Sequence, residues 1–494
     1  MAVKKIGRGL IITGIAGIVV SLLAAFLPGE RAEIQPLQIF LIELSLILSF
    51  VGIWLGQRDA IGIVQPGKPF RDVLNWLLGL SIFAWVFLGF LIVYILFFVI
   101  PMFLRPGMQM NYFTGYIPNL IPIGNDLTVM VDLIKGWVAG NLSPYTIQFY
   151  PPLTYILFAP LLLIENPLAL YRFFTVFTFV SYCLLALLLP LKIIDKRYFA
   201  LALLLFVTGL FSYGFQFELE RGQYNVFTFL LCLTAIYIFH YHPRYRLLAY
   251  ILFSISVQLK LYPAIFIVMF VDDWRDWKRT LLRLAGIGLF NLLLFFVMGY
   301  QTFLDFIRSV TAQVVNPSWI GVWNHSISSF ISMVKQDGFG LLPFETLRVF
   351  RHNAGWVEGL LILAFVTLFL SALVIFHLRR KPGLDPYLLL ACTVGALILP
   401  ISYDYTLSIL VTPMLLFMCG IPEMSNTGYK FLSALLILGI SIAYFSILIP
   451  YNFRPYVLHN SFPLLFVILI LATLLNFLRY QHDKVQVGKT EAAS

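Results

Sequence analysis

Charged residues are scarce in this chain of 494 amino acids: only 11% are charged, while 60% are hydrophobic. Soluble domains carry about 25% charged residues, so the composition excludes an ordinary soluble protein. Apolar stretches of about 20 residues, the length that a helix needs to cross a bilayer, recur along the whole sequence. The chain is therefore predicted to be an all-α polytopic membrane protein embedded in the lipid bilayer.

Cysteine is also rare, and the four cysteines lie inside apolar runs without the spacing of a metal site. The net charge of +10 comes from short basic clusters between apolar runs, which is typical of the positive-inside bias. We therefore expect no nucleic acid partner. A P-loop, a Rossmann glycine pattern and a nucleophile elbow are all missing from the sequence. A transferase without a nucleotide-binding domain would take its donor from a membrane lipid.

The apolar runs predict about twelve spans. They lie near residues 9–27, 37–55, 75–103, 168–190, 198–214, 224–240, 280–299, 357–377, 386–402, 405–421, 430–449 and 461–478. Two further stretches are ambiguous, because 152–164 is too short to cross and 247–271 is broken by "QLKLYP". If the first lies on the surface and the second is a re-entrant hairpin, every basic cluster falls on the cytoplasmic side. Both termini are then cytoplasmic in the plasma membrane.

This threading divides the chain into an N-terminal transmembrane hairpin (1–73), a transmembrane core (74–480) and a cytoplasmic tail (481–494) that is expected to be disordered. The same threading gathers the most polar and aromatic non-cytoplasmic segments on the outer side. These are the loops 104–167 and 300–356, the turns 218–225 and 401–406, and the segment 450–460. Such a cluster on one side predicts a functional site there.

One of these segments, 124–153, begins with apolar residues at helical spacing, while Asp132 and Lys135 share the opposite face. This pattern predicts an amphipathic helix lying in the membrane interface, followed by a second short helix after "YPP". Asp126 at the start of the first helix has two compatible interpretations. It can be a helix N-cap, or a general base that takes a proton from an attacking hydroxyl. Asp132 is interpreted as a solvated residue.

Lys260, within "SVQLKLYPAIFIVMF", is the most costly charge in the chain. A lysine in an apolar segment is unfavourable unless its ammonium group reaches water or an anion. Pro263 interrupts the helix beside it, and broken helix ends around a cavity commonly bind anions. Snorkelling to the membrane surface is the alternative. We favour contact with a phosphate.

Three polar clusters supply further candidates: "FELERGQYN", "VWNHSISSF" and "SYDYT". In the first, Arg221 could pair with Glu218 or contact a phosphate, and the acidic residues could form only a solvated turn. The donor phosphate is predicted to contact Lys260, Arg221 and His325. The sugar or the acceptor is predicted to contact Asn125, Tyr145, Tyr150, Gln223, Asn225, Tyr262, Asn324, Tyr403 and Asp404.

Five segments, taken in order, resemble a known family: "NDLTVMVDLIKGWVAGNLSPY…FYPPLTYILFAPLLLI", "RGQYNVFTFLLCL", "KLYPAIFI", "WNHSISSF" and "SYDYTLSILVTPMLLF". They are similar to the polyprenyl-phosphate mannosyltransferases of glycosyltransferase family 87, which include mycobacterial phosphatidylinositol-mannoside mannosyltransferases and have the GT-C membrane fold. The resemblance covers roughly residues 75–450. It implies that Asp126 is the catalytic base, that the donor is a lipid-monophosphate sugar, and that transfer is inverting and needs neither metal nor cofactor.

The resemblance has three departures. The first two spans precede the one that normally opens the fold, His325 stands where many members have glutamine, and "SYDY" replaces a tryptophan and a histidine. The expected function is transfer of a sugar, mannose by resemblance, from a polyprenyl-phosphate donor to a lipid-linked or glycan acceptor on the outer face. The alternatives are a transporter or flippase, and a ligase with a lipid-diphosphate donor. A catalytic role shared by Asp132 or Asp404 is left open.

Overall fold

The computed structural model describes residues 2–24, 44–45, 48, 51–52, 82–95, 124–140, 150–210, 212–272, 276–315, 324–337, 342–379, 383–399, 402–420, 427–444 and 460–493. Its α-helices are α1 (Ala2–Ala24), α2 (Ile82–Tyr94), α3 (Asn125–Val138), α4 (Pro152–Phe158), α5 (Pro167–Cys183), α6 (Phe199–Leu210), α7 (Tyr213–Arg221), α8 (Asn225–Tyr241), α9 (Arg246–Leu259), α10 (Trp277–Leu294), α11 (Tyr300–Val315), α12 (Ile327–Asp337), α13 (Phe344–Arg379), α14 (Pro386–Ile398), α15 (Val411–Cys419), α16 (Thr427–Tyr444) and α17 (Phe462–Ala493).

Shorter helical turns join several of these helices. The 3-10 turns are Ala159–Leu163, Pro190–Lys192, Lys196–Tyr198, Pro243–Tyr245, Tyr262–Met269 and Asp404–Leu410, and a π-helical turn spans Leu184–Leu188. Among the described residues, pairing of extended backbone is limited to an isolated antiparallel bridge between Asn324 and Tyr403. The expected all-α fold is confirmed.

Three helical stretches of the described chain are long and apolar enough to cross a membrane: Pro167–Lys192, Phe344–Leu378 and Phe462–Gln481. The pair Lys196–Leu210 and Gly214–Arg221, bent by 48°, adds a fourth if it forms one span. Shorter apolar helices occupy Pro152–Leu163, Asn225–Tyr241, Pro386–Ile398, Asp404–Cys419 and Gly428–Ile442. The number of about twelve spans therefore stays a prediction, as do the N-terminal hairpin and the re-entrant hairpin.

Two expectations of irregular structure are wrong. The tail after residue 480 continues α17 to Ala493, and the expected turn 218–225 begins inside α7, which ends only at Arg221. The segment 300–356 is also largely helical, since it holds α11, α12 and the start of α13. In α11, Phe303, Phe306 and Val310 recur at helical spacing and pack on one core cluster. In these segments polar residues divide the apolar runs, but the apolar residues that remain still recur at the spacing of a helix.

The buried apolar side chains form a main core and a smaller second core. The main core joins α5–α9 with α14–α17. The second core packs α3 over α4, α5 and the ends of α8 and α9, and it contains Leu127, Met130, Val131, Ile134, Tyr155, Phe158, Leu170, Phe174, Tyr224, Leu259 and Phe306. Each fully buried side chain of this size contributes about 1.5–3 kcal/mol. The predicted amphipathic helix is thus fixed on the bundle by its apolar face.

α9 is anchored at the end remote from Lys260. The carboxylate of Asp272 forms ion pairs with Arg246 at 2.8 Å and with Arg283 at 2.6 Å. Arg246 begins the 14-residue helix that ends just before Lys260, so the two residues are about 20 Å apart along the helix axis. Burial acts to raise the pKa of Asp272, but the bond and charge of Arg283, followed by the charge of Arg246, lower it to about 2. The first turn of α9 is therefore held by a stable ion pair.

Candidate functional site

The first turn of α3 lies against the last turn of α7, and two glycines permit this approach. The backbone N–H of Gly124 donates to the carbonyl of Glu220 at 2.7 Å. Gly222 ends α7 with φ 65, and a Cβ at this position would lie 2.7 Å from Cβ of Leu127. Glycine adopts this left-handed conformation without a steric penalty. The contact brings Asp126 beside the polar residues around Gly222.

Asp126 is the second residue of α3, and 19% of its side chain is exposed. Its Oδ1 accepts from Arg221 Nη2 at 2.6 Å, and its Oδ2 accepts from Gln223 Nε2 at 2.5 Å. Gly124 occupies the N-cap position of the helix, where no side chain caps the backbone. The N-cap interpretation is therefore wrong, because the carboxylate is bound by the neighbouring α7–α8 connection instead.

Gln223 links Asp126 to Lys260. This side chain is only 1% exposed, and its Oε1 accepts from Lys260 Nζ at 2.6 Å while its Nε2 donates to Asp126 and, at 3.3 Å, to the hydroxyl of Tyr150. One amide group thus separates the carboxylate from the ammonium group. The structure brings together the two charges that sequence considerations placed in one site, and it makes Gln223 a bridge between them.

Lys260 follows the last residue of α9 with an extended backbone. Its Nζ lies 5.4 Å from the ring centre of Tyr150, 4.9 Å from that of Tyr224 and 5.3 Å from that of Tyr405. Such cation–π contacts contribute about 0.5–2 kcal/mol each. An ammonium group has three N–H donors, and Gln223 uses one of them. The cation is held inside the site, which does not support snorkelling to the membrane surface.

Tyr150 places its hydroxyl at the same junction. Burial, followed by the charge of Asp126, raises the pKa of Tyr150 above its ordinary range. The hydroxyl therefore stays protonated. Its ring contacts that of Tyr224 at a centroid distance of 5.5 Å. Tyr150 thus lies beside the charged residues of the site, and its predicted contact with the sugar or the acceptor stays a prediction.

His325 and Asp404 form a separate buried pair, with Nε2 2.9 Å from Oδ1. The backbone around them is joined as well: the N–H of His325 donates to the carbonyl of Ser402 at 2.7 Å, and Asn324 Oδ1 accepts from the N–H of Ser402 at 3.2 Å. Asn460 donates to the carbonyl of Asn324 at 2.9 Å. The structure therefore places His325, Asn324 and Asp404 in a joint between two segments. Phosphate or sugar contacts of these residues stay predictions.

Tyr403 lies in this joint and also belongs to the electrostatic surroundings of the site. Burial, followed by the charge of Asp126, raises the pKa of its hydroxyl above the ordinary range, while the charge of Arg221 acts to lower it. Its ring lies 5.4 Å from that of Tyr405, which in turn contacts Lys260. The two tyrosines connect the joint with the charged centre.

The sequence left open that Glu218 lies on a solvated turn or pairs with Arg221, and the structure instead buries its side chain fully. Its Oε1 accepts from the backbone N–H of Val226 at 2.8 Å, and its Oε2 accepts from Ser408 Oγ at 2.5 Å. The adjacent Asn225 is also fully buried, and its carbonyl accepts from the hydroxyl of Tyr262 at 3.0 Å. Sequence considerations named Glu218 only as a possible partner of Arg221 or part of a solvated turn, although a charge so near an apolar helix was a signal of burial.

The remaining predicted residues are less closely tied to the site. Asp132 is exposed and pairs with Lys135 at 3.6 Å, as expected for a solvated helix face. Asn125 is partly buried in the first turn of α3, and Tyr145 lies outside the described residues. Within the described part of the chain, no three His, Cys, Asp or Glu residues are grouped to hold a metal ion. Metal independence remains a prediction that only an assay can test.

The sequence model of glycosyltransferase family 87 matches residues 149–413, which is more than half of the chain. The chain belongs to glycosyltransferase family 87. The matched range contains Tyr150, Arg221, Gln223 and Lys260, whereas Asp126 precedes it. No curated protein and no solved structure matches the sequence. The predicted family is confirmed, and the protein is a multi-pass membrane glycosyltransferase.

The contact at Gly222 gives a first prediction. Gly222→Ala is expected to lower the melting temperature and to reduce transfer by at least about tenfold, because displacements of about 1 Å can cost 10²-fold in rate. Gly140→Ala is the matched control, since Gly140 has φ 71 but would place its Cβ in open space. Both variants incur about 1–2 kcal/mol of backbone strain, and only the first displaces Leu127. Equal effects in the two variants would contradict the close contact.

Proposed function

We propose that this glycosyltransferase moves a hexose, with mannose as the first candidate, from a polyprenyl-phosphate donor to a hydroxyl of a lipid-linked or glycan acceptor. The reaction takes place at the outer face of the plasma membrane, and both termini lie in the cytoplasm. One observation carries the proposal: Asp126 and Lys260 bind the two ends of the same Gln223 amide. A carboxylate able to accept a proton and a cation able to bind a leaving phosphate are the groups that this displacement needs.

The proposed reaction is a single displacement at the anomeric carbon. The acceptor oxygen forms the new C–O bond while its proton passes to Asp126. The bond between the anomeric carbon and the phosphate oxygen breaks, and its electron pair leaves with the polyprenyl phosphate. Lys260 and Arg221 balance the added negative charge on that phosphate. One displacement inverts the configuration of the sugar.

Asp126 is suited to this role despite its two hydrogen bonds. Each carboxylate oxygen offers about two acceptor positions, and Arg221 and Gln223 occupy one on each oxygen. An acceptor hydroxyl would therefore meet a carboxylate that is already oriented. The same two bonds fix the direction of the carboxylate, which favours proton transfer along a defined line. The tyrosine rings around Lys260 provide flat surfaces against which a sugar can pack.

The proposal is tested with the purified protein in detergent, without any transmembrane gradient, using radiolabelled mannosyl polyprenyl phosphate and a membrane-lipid extract as acceptor. The expected result is a labelled product with inverted anomeric configuration by NMR, formed equally with and without EDTA. A transporter would form no product under these conditions. Transfer from a lipid diphosphate alone would replace the proposed donor, and loss of activity with EDTA would overturn the metal-independent mechanism.

A further inference from the structure

A second buried acid lies behind the phosphate-binding cation. Glu218 connects α7, the start of α8 and the 3-10 turn 404–410 through its bonds to Val226 N–H and Ser408 Oγ. Both donors are neutral groups. They donate one hydrogen bond to each carboxylate oxygen without balancing its charge, and a buried charge without a counter-charge is strongly unfavourable.

Glu218 and Lys260 share Gln223 as a neighbour, whose backbone N–H donates to the carbonyl of Glu218 at 2.9 Å and whose side chain accepts from Lys260 Nζ at 2.6 Å. The 3-10 turn 404–410 contacts both residues as well, since Ser408 donates to the Glu218 carboxylate and the ring centre of Tyr405 lies 5.3 Å from Lys260 Nζ. The hydrogen-bond partner of Lys260 is Gln223 and not Glu218, so the two charges share buried surroundings without a direct bond. Glu218 therefore does not occupy the remaining N–H groups of Lys260.

Asp126 cannot serve equally well as the counter-charge. Arg221 already binds it at 2.6 Å, and a general base must be able to accept a proton during the reaction. The site therefore contains two charge pairs, Asp126 with Arg221 and Glu218 with Lys260. The Gln223 amide connects the pairs, and each pair keeps its own balance.

We propose that Glu218 is a positioning residue that keeps Lys260 charged and fixed against its three tyrosine rings, so that the donor phosphate meets a preformed cation. Glu218 itself does not contact substrate. This inference rests on the proposed function, and it adds a residue to which the sequence assigned no role. Its effect is specific to the donor, because Glu218 acts through Lys260 and not through Asp126.

Glu218→Gln tests this inference, since glutamine keeps an oxygen for the Val226 N–H but loses the charge. The expected result is a donor KM about tenfold higher, in line with one lost charge interaction of moderate strength, with acceptor KM changed less than about twofold. Glu218→Asp is expected to restore much of the donor affinity. Asp385→Asn is the matched control, because Asp385 is a buried carboxylate that caps α14 and should leave both KM values unchanged.

A double-mutant cycle with Lys260→Met separates positioning from general damage. Glu218→Gln is expected to have no further effect on donor KM once Lys260 is replaced, because interacting residues are not additive. Additive effects, or equal changes in both KM values, would overturn the inference. If the wild-type protein transfers no sugar from a polyprenyl phosphate, the proposed function fails. The same cycle measured by melting temperature then still decides whether the two charges are coupled.

Discussion

Replacing Asp126 with asparagine or alanine is expected to reduce sugar transfer by about 10²–10⁴-fold, the range typical of a lost general base. Asparagine keeps the size and a hydrogen-bonding oxygen, but it cannot accept a proton from the attacking hydroxyl. Alanine also removes the acceptor of the bonds from Arg221 and Gln223. Both variants should therefore be inactive, with kcat reduced and the donor KM changed by only a small factor.

The neighbouring Asp132 provides the control for this experiment. It lies in the same helix, is exposed and pairs with Lys135. Asp132→Asn removes the same charge from α3 without touching the site, so it should retain wild-type transfer. Residual activity above about a tenth of wild type in Asp126→Asn would show that another group takes the proton. Loss of activity in Asp132→Asn would show that transfer depends on the total charge of α3 and not on the position of the Asp126 carboxylate.

The parts of the site that could be predicted from the sequence are those where a residue is energetically unfavourable without a partner, or where the spacing of apolar residues indicates a helix. A lysine within an apolar segment is unfavourable without a partner, which identified Lys260. Apolar residues at helical spacing identified α3, which the structure confirms over Asn125–Val138. Asp126 was found because it opens this helix, although its position proved to be second in the helix and not the N-cap.

The pairings between distant segments were not predictable from one sequence. Arg221 and Asp126 are 95 residues apart, and nothing local decides whether Arg221 meets Asp126, Glu218 or a phosphate. The burial of Glu218 was unpredictable for the same reason, since Ser408 contacts it from a segment 190 residues away. His325 and Asp404 were each assigned to a ligand because both are polar in an apolar chain. The structure places His325 Nε2 2.9 Å from Asp404 Oδ1, a pairing between distant segments that no local pattern indicates.

Replacing Lys260 with methionine is the second change with a large expected effect. Methionine has a similar length and fits among the three tyrosine rings, but it removes the charge that binds the leaving phosphate. Loss of one such electrostatic contact typically costs about 10²–10³-fold in rate. Both kcat and donor affinity should fall, because the donor carries negative charge before the reaction and more of it in the transition state. Lys260→Arg should retain part of the activity.

Product inhibition identifies the group that binds the phosphate. Free polyprenyl phosphate is expected to inhibit the wild-type protein by competing with the donor, and Lys260→Met should lose most of this inhibition. Lys135→Met is the control, because Lys135 is an exposed lysine of α3 paired with Asp132. If Lys260→Met lost transfer but kept wild-type inhibition by polyprenyl phosphate, Lys260 would only position Gln223 and Asp126. The phosphate would then be bound by Arg221, whose side chain is 31% exposed.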